Sequence, residues 1–250
     1  MTNDLLNKVY DAYSVLSKIV RKTPLNKSAY FSGTNEVYLK LENLQLTGSF
    51  KVRGATYKIS KLSEEEKQKG IIACSAGNHA QGVALASQKN NIKSTIFIPS
   101  IAPLSKIQAT QKYGADVRLV GGVYDDAYLE AVKFQKETGG IIIHPFDDLD
   151  VIAGQSTIAL EILEALKDVD AIVVPIGGGG LISGIAYTIK QLKPSCKVYG
   201  VQAKNASAMY DSIKNKKRIK IEDIIAHPFL NVGKKWYMEK FGGCFIEKIR

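Results

Sequence analysis

Between residues 70 and 203 the chain alternates short, β-branched apolar runs with stretches of helical spacing, and this alternation constrains the fold more than any other feature. Candidate strands fall at residues 37–41, 71–74, 94–99, 116–120, 140–144, 171–176 and 197–201, each bounded by Gly, Pro or a turn cluster. The spacing predicts helices over 79–88, 104–112, 124–138, 152–166 and 181–192. Strand–helix–strand alternation implies parallel sheets flanked by helices, an α/β class. Strands that are nearly all apolar predict a sheet buried on both faces. Ligands in such folds sit at the carboxyl ends of strands, so the loops leading into helices are where chemistry is expected.

Composition removes several alternatives. With 45% hydrophobic and 23% charged residues over 250 positions, disordered and fibrous classes are excluded and one or two domains are expected. No apolar run reaches the ~18 residues of a membrane span, and the N-terminal segment lacks a signal-peptide pattern. A cytoplasmic protein with no membrane partner is expected. Cys74, Cys196 and Cys244 form no Cys-x-x-Cys and no Cys/His cluster, so neither a disulfide framework nor a metal site is predicted. Of the net charge of +10, residues 204–250 carry +6, from 11 basic and 5 acidic residues. Without interleaved aromatics or a binding motif, this basic stretch reads as a solvated face, and no nucleic-acid partner is expected.

Three loops stand out. A buried run ends at Ile176 and is followed by Gly177, Gly178, Gly179, Gly180 and then Leu181 at a predicted helix start. Consecutive glycines let backbone N–H groups close on a ligand, and a helix N-terminus adds positive partial charge, so this loop reads as a phosphate cup. It matches neither Gly-x-Gly-x-x-Gly with a downstream acid nor a Walker A loop, which argues against a dinucleotide-binding oxidoreductase. The second segment runs Thr47-Gly48-Ser49-Phe50-Lys51. Ser49 is placed to cap a helix. A lysine beside an aromatic ring and a positive helix end has a lowered pKa, as a nucleophilic amine requires. The third is Ser75-Ala76-Gly77-Asn78-His79, where a strand turns into a helix. Ser75 and the N–H groups of residues 76–79 suit a carboxylate, and Asn78 offers donor and acceptor to a ring hydroxyl. His79 is either a base or a structural residue, and His144 reads as packing or hydrogen bonding. An imine-forming lysine, a phosphate cup and a carboxylate nest together describe pyridoxal phosphate meeting an amino acid.

Several longer segments carry a resemblance across residues 20–203. They are Lys22-Thr-Pro-Leu25, Lys40-Leu-Glu-Asn-Leu-Gln45, Thr47-Gly-Ser-Phe-Lys51, Ser75-Ala-Gly-Asn-His79, His144-Pro-Phe-Asp-Asp148, Ala153-Gly-Gln155 and Pro175-Ile-Gly-Gly-Gly-Gly180. The chain resembles the threonine ammonia-lyases (threonine dehydratases) of the tryptophan-synthase-β-like pyridoxal phosphate enzymes. That resemblance implies two open, mostly parallel twisted sheets flanked by helices. A large domain would comprise residues 1–45 and 150–250, and a small mobile domain residues 46–149. It implies that Lys51 holds pyridoxal 5'-phosphate and acts as acid and base, that Phe50 packs on the ring, and that Asn78 bonds the ring 3-oxygen. Gly177, Gly178, Gly179, Gly180 and Leu181 would take the phosphate. Ser75, Gly77, Asn78 and His79 would take the substrate carboxylate. The implied reaction is β-elimination of L-threonine, and of L-serine, to a 2-oxo acid and ammonia, in a homo-oligomer.

Racemase relatives carry a hydroxyl residue at the position of Ala76, so the alanine favours elimination over racemisation. Ser156 stands where relatives have Gly. The pattern fades after Ala203 and stops after Asp223, which predicts a truncated large domain whose residues 204–250 pack poorly and lack a strand pattern. The alternatives this leaves are a serine-specific or β-replacement enzyme of the same group and a non-catalytic, cofactor-binding remnant.

Overall fold

The computed structural model describes residues 2–217, 219 and 244–249. In chain order, helix α1 (Thr2–Leu16) leads into an antiparallel pair, β1 (Leu25–Lys27) and β2 (Tyr38–Lys40). Helices α2 (Lys51–Ser60) and α3 (Glu64–Gln68) follow. Then come β3 (Ile71–Cys74), α4 (Asn78–Lys89), β4 (Ser94–Pro99), α5 (Leu104–Lys112), β5 (Asp116–Val120), α6 (Tyr124–Thr138) and β6 (Ile141–Ile142). The remainder comprises α7 (Leu149–Ala165), β7 (Ala171–Pro175), α8 (Gly180–Leu192), β8 (Lys197–Ala203), α9 (Ala208–Lys214) and β9 (Cys244–Ile249).

The first large sheet has the order β5-β4-β3-β6 with every pairing parallel. Its inner strands show why their sequences are mostly apolar. Ile71, Ala73, Ile96 and Ile98 face a core shared with α2 and α4, through Ala55, Ile59, Ala80, Val83 and Ala84. The alternate residues Ile72, Cys74 and Phe97 face a second core with Ala127 and Ala131 of α6. A two-residue period with both faces covered leaves little place for a polar side chain, and the two in these strands, Ser94 and Thr95, stand at the start of β4.

The second sheet has the order β7-β8-β9, and it corrects two expectations. In β7, Ile172 and Val174 are buried while Ala171, Val173 and Pro175 are exposed, and β5 at the other sheet's edge is also largely exposed. The apolar runs of these strands therefore do not mean burial on both faces. The tail also contributes a strand: β9 runs antiparallel to β8, from Ala203 opposite Cys244 to Val198 opposite Ile249. Of the basic tail, Lys214 at the end of α9 and Lys216 and Lys217 after it are exposed, whereas residues 218 and 220–243 lie outside the described residues.

Helix α2 is the seam between the sheets. It crosses α7 so closely that a Cβ on Gly154 would lie 2.6 Å from the Gly54 Cα. Gln155 of α7 turns its Oε1 to accept the Gly54 N–H at 3.2 Å. One residue earlier, Arg53 is fully buried. Its guanidinium donates to Glu42 at 2.8 Å and to Glu161 of α7 at 2.6 Å, and Lys40 also donates to Glu161. Two cations and two carboxylates thus neutralise one another where either sign alone could not be buried. Asp148 caps α7 by accepting the N–H groups of Asp150 (2.8 Å) and Val151 (3.1 Å).

Candidate functional site

Lys51 is the first residue of α2, with Phe50 in the capping position at φ −61°. Phe50 is itself helical there, with ψ −18°, and the Ser49 Oγ accepts the Lys51 N–H at 3.4 Å, the bond expected of a capping serine. The Lys51 Nζ lies 5.5 Å from the Phe50 ring centroid and donates to the Pro145 carbonyl at 2.6 Å. No carboxylate bridges it among the described residues. Desolvation by burial draws its pKa down to about 8.

The 75–79 loop closes on itself before α4 begins. Ser75 donates its N–H to the Phe97 carbonyl at 3.1 Å, and its Oγ accepts the Gly77 N–H at 3.2 Å. Those two groups hold the turn. The amides of Asn78, His79 and Ala80 form the first turn of α4, where N–H groups have no intrahelical partner. His79 is buried, with Nε2 2.8 Å from the Ile143 carbonyl and Nδ1 without a partner. A carbonyl can only accept, so Nε2 carries the proton and Nδ1 a lone pair. Burial, with the charge of Lys51 adding to it, pushes the His79 pKa down to about 3. A neutral ring with this tautomer cannot donate to a carboxylate; the His79 backbone N–H can.

The glycines of the loop are not equivalent. Gly179 sits at φ +94°, the left-handed region. A Cβ on Gly178 would enter the Phe146 ring, and one on Gly180 would lie 2.7 Å from the Phe146 carbonyl oxygen. Gly177 has nothing within 4 Å of such a Cβ, so this corner of the loop is open. Gly180 opens α8, and Leu181 packs with Phe50 against the core of Ile172, Val174, Ile182 and Ile185.

The structure thus brings together Lys51, Phe50, His79 and the glycine loop, and the connector between β6 and α7 joins them. Ile143 holds His79, Pro145 holds Lys51, and Phe146 abuts Gly178 and Gly180. His144 accepts the N–H groups of Phe146 (3.3 Å) and Asp147 (2.7 Å), a hydrogen-bonding role that keeps the connector folded. Sequence reasoning took residues 144–148 as a motif but not as the hub, because their partners are 32 to 94 residues distant. A recess of about 520 Å³ lies elsewhere, among Tyr10, Tyr13, Leu160 and Leu192, and shares no residue with these loops. Among the described residues, no group of three or more His, Cys, Asp or Glu side chains is placed to hold a metal ion. No helix among them is long and apolar enough to cross a membrane.

Comparison with known proteins places this geometry. Residues 16–235 match the family described as pyridoxal-phosphate dependent enzyme. The chain is 50% identical over 219 residues to the L-threonine ammonia-lyase of Thermotoga maritima, covering 87% of this chain and 55% of that protein. It is 49% identical over 210 residues to the catabolic L-threonine dehydratase of Staphylococcus aureus, covering 83% of this chain and 61% of that protein. The chain therefore spans less than two thirds of the length of these relatives. Among solved structures, it is similar to the processed form of threonine deaminase isoform 2 from Solanum lycopersicum, with TM-score 0.87 and 38% identity over 92% of this chain and 68% of that one. It is also similar to maize serine racemase, with TM-score 0.85 and 34% identity over 87% of this chain and 67% of that one.

Proposed function

The chain belongs to the family of pyridoxal-phosphate dependent enzymes, and from that membership we propose that Lys51 holds the cofactor for deamination of L-threonine and L-serine by β-elimination, in which the β-hydroxyl leaves as water and the released enamine hydrolyses to a 2-oxo acid and ammonia. The observation that carries this reading is the half-buried Lys51, its amine pKa drawn down to about 8 and its Nζ held by the Pro145 carbonyl at the point where loops from both sheets meet. The residues present fit the group. A partly neutral amine suits attachment of an aldehyde. The open backbone at Gly177 and the start of α8 suit a phosphate. Phe50 offers an apolar wall, and Asn78 a side chain for the ring 3-oxygen.

Bound there, pyridoxal 5'-phosphate supplies an electron sink for negative charge at the substrate α-carbon. The chain supplies the rest. Amides at the start of α4 hold the substrate carboxylate, with Ser75 and Gly77 shaping the turn beneath them. Lys51, once exchanged for the substrate amine, is the base that removes the α-proton. Its lowered pKa keeps a usable fraction neutral near pH 7. His79 stays neutral and carries no competing charge into the site. Ala76 offers no hydroxyl to serve the opposite face of the α-carbon, which favours elimination over racemisation. In this reading residues 46–149 form a small mobile domain over a large one of 1–45 and 150–250.

Two measurements test the proposal. Lys51→Ala should remove the visible absorbance band that pyridoxal 5'-phosphate acquires with the unmodified chain, with circular dichroism unchanged. The unmodified chain should release ammonia and 2-oxo acid from L-threonine. A band that survives in Lys51→Ala rejects the lysine. Racemisation of serine without ammonia release rejects the reaction.

A further inference from the structure

Lys106 is absent from the sequence-derived site, yet it reaches into it. It lies on the first turn of α5, which follows the carboxyl end of β4, the side of the sheet where ligands bind. Its Nζ donates to the Asn78 Oδ1 at 3.2 Å across 28 residues of sequence. No carboxylate pairs with Lys106 among the described residues. An ammonium has three donors and no acceptor. The Asn78 amide must therefore present its oxygen to Lys106 and turn Nδ2 the other way, where it makes no hydrogen bond among the described residues. The backbone fixes both ends of the contact: Asn78 starts α4, and the Lys106 N–H is held by Pro103 at 2.9 Å, its carbonyl by Thr110 at 2.9 Å.

We infer that Lys106 is a positioning residue that fixes the Asn78 amide as a hydrogen-bond donor toward an acceptor oxygen of the ligand. This rests on the reading that the ligand is pyridoxal 5'-phosphate, whose ring 3-oxygen is that acceptor. Left to itself an asparagine amide presents oxygen or nitrogen by a simple rotation, and half of that choice is wrong for an anionic oxygen. Lys106 removes the choice. It also sets a positive charge one amide away from the ring oxygen, favouring the oxygen's ionised form.

Titrations with pyridoxal 5'-phosphate and with its 3-deoxy analogue, which lacks the ring oxygen, test the inference. Lys106→Met should weaken pyridoxal 5'-phosphate about fivefold, the scale of one net hydrogen bond, and leave the 3-deoxy analogue within about twofold. Lys106→Arg should restore the preference for the 3-oxygen, since a guanidinium also only donates. Equal weakening of both ligands would assign Lys106 a structural role alone and overturn the inference, as would unaltered affinity for both. Failure of the unmodified chain to form the visible band with either ligand would instead overturn the cofactor reading beneath it.

Discussion

At Gly177 and Gly178 two neighbouring glycines face opposite demands. Gly178 is held to glycine by the Phe146 ring, whereas Gly177 opens onto space. Gly178→Ala should therefore destabilise the chain without any ligand, by about 1–3 kcal/mol for an overpacked contact. Gly177→Asp should leave ligand-free stability within about 0.5 kcal/mol but weaken pyridoxal 5'-phosphate by at least about tenfold, as a carboxylate meets a phosphate. Thermal unfolding and absorbance titration of both variants check this. If Gly177→Asp binds normally, the loop is only a turn. The comparison also shows what four glycines in sequence did not disclose. They suggested one cause, backbone approach to an anion, while the structure divides them among an aromatic neighbour, a left-handed conformation and an open corner.

At the scale of elements, the crossing of α2 and α7 sets where Lys51 points. The crossing depends on Gly54 and Gly154 in backbone contact, locked by Gln155 and by the buried Arg53 network. Gly154→Ala should push the helices apart at a cost of about 1–3 kcal/mol, read as a lower urea midpoint. It should also raise the accessibility of Lys51 to amine-directed reagents. Unchanged reactivity would show that the crossing does not hold the lysine. Much of this level was legible beforehand. Strands β3, β4 and β5 and helices α5 and α6 begin and end where turn residues and periodicity place them. The cluster of Ala153, Gly154 and Gln155 was visible as a motif, but its use was not, since Gly54 lies about a hundred positions away. Nothing local marks Arg53 for burial, and only its carboxylate partners, Glu42 and the distant Glu161, explain why it is completely buried. β7 looked wholly buried because valine and proline read the same in sequence whether their face is covered or exposed.

For the whole molecule, acid is a specific threat. His79 is held at a pKa near 3 by burial, against about 6.5 when unfolded. Between those values the unfolded chain binds a proton that the folded chain refuses, so stability falls as pH drops below about 6.5. The slope from this residue reaches at most about 1.4 kcal/mol per pH unit. His79→Asn should flatten the decline measured between pH 6.5 and 4.5, and parallel curves for the two proteins would remove His79 as its source. His144, lowered more mildly by burial, acts in the same direction in both proteins. Asp11 and Asp150, whose carboxyls lie below their ordinary range, give way only at lower pH.

The Lys51 amine owes its character to groups drawn from three remote stretches: 75–79, 143–146 and 176–180. During synthesis none of that exists. A nascent or half-assembled chain carries at position 51 an ordinary ammonium, nearly all of it protonated and correspondingly slow to add to an aldehyde. On the role proposed for Lys51, its amine gains that character only once both sheets have closed around α2, so the burial that would suit it to a covalent bond would also delay that bond until the fold is complete.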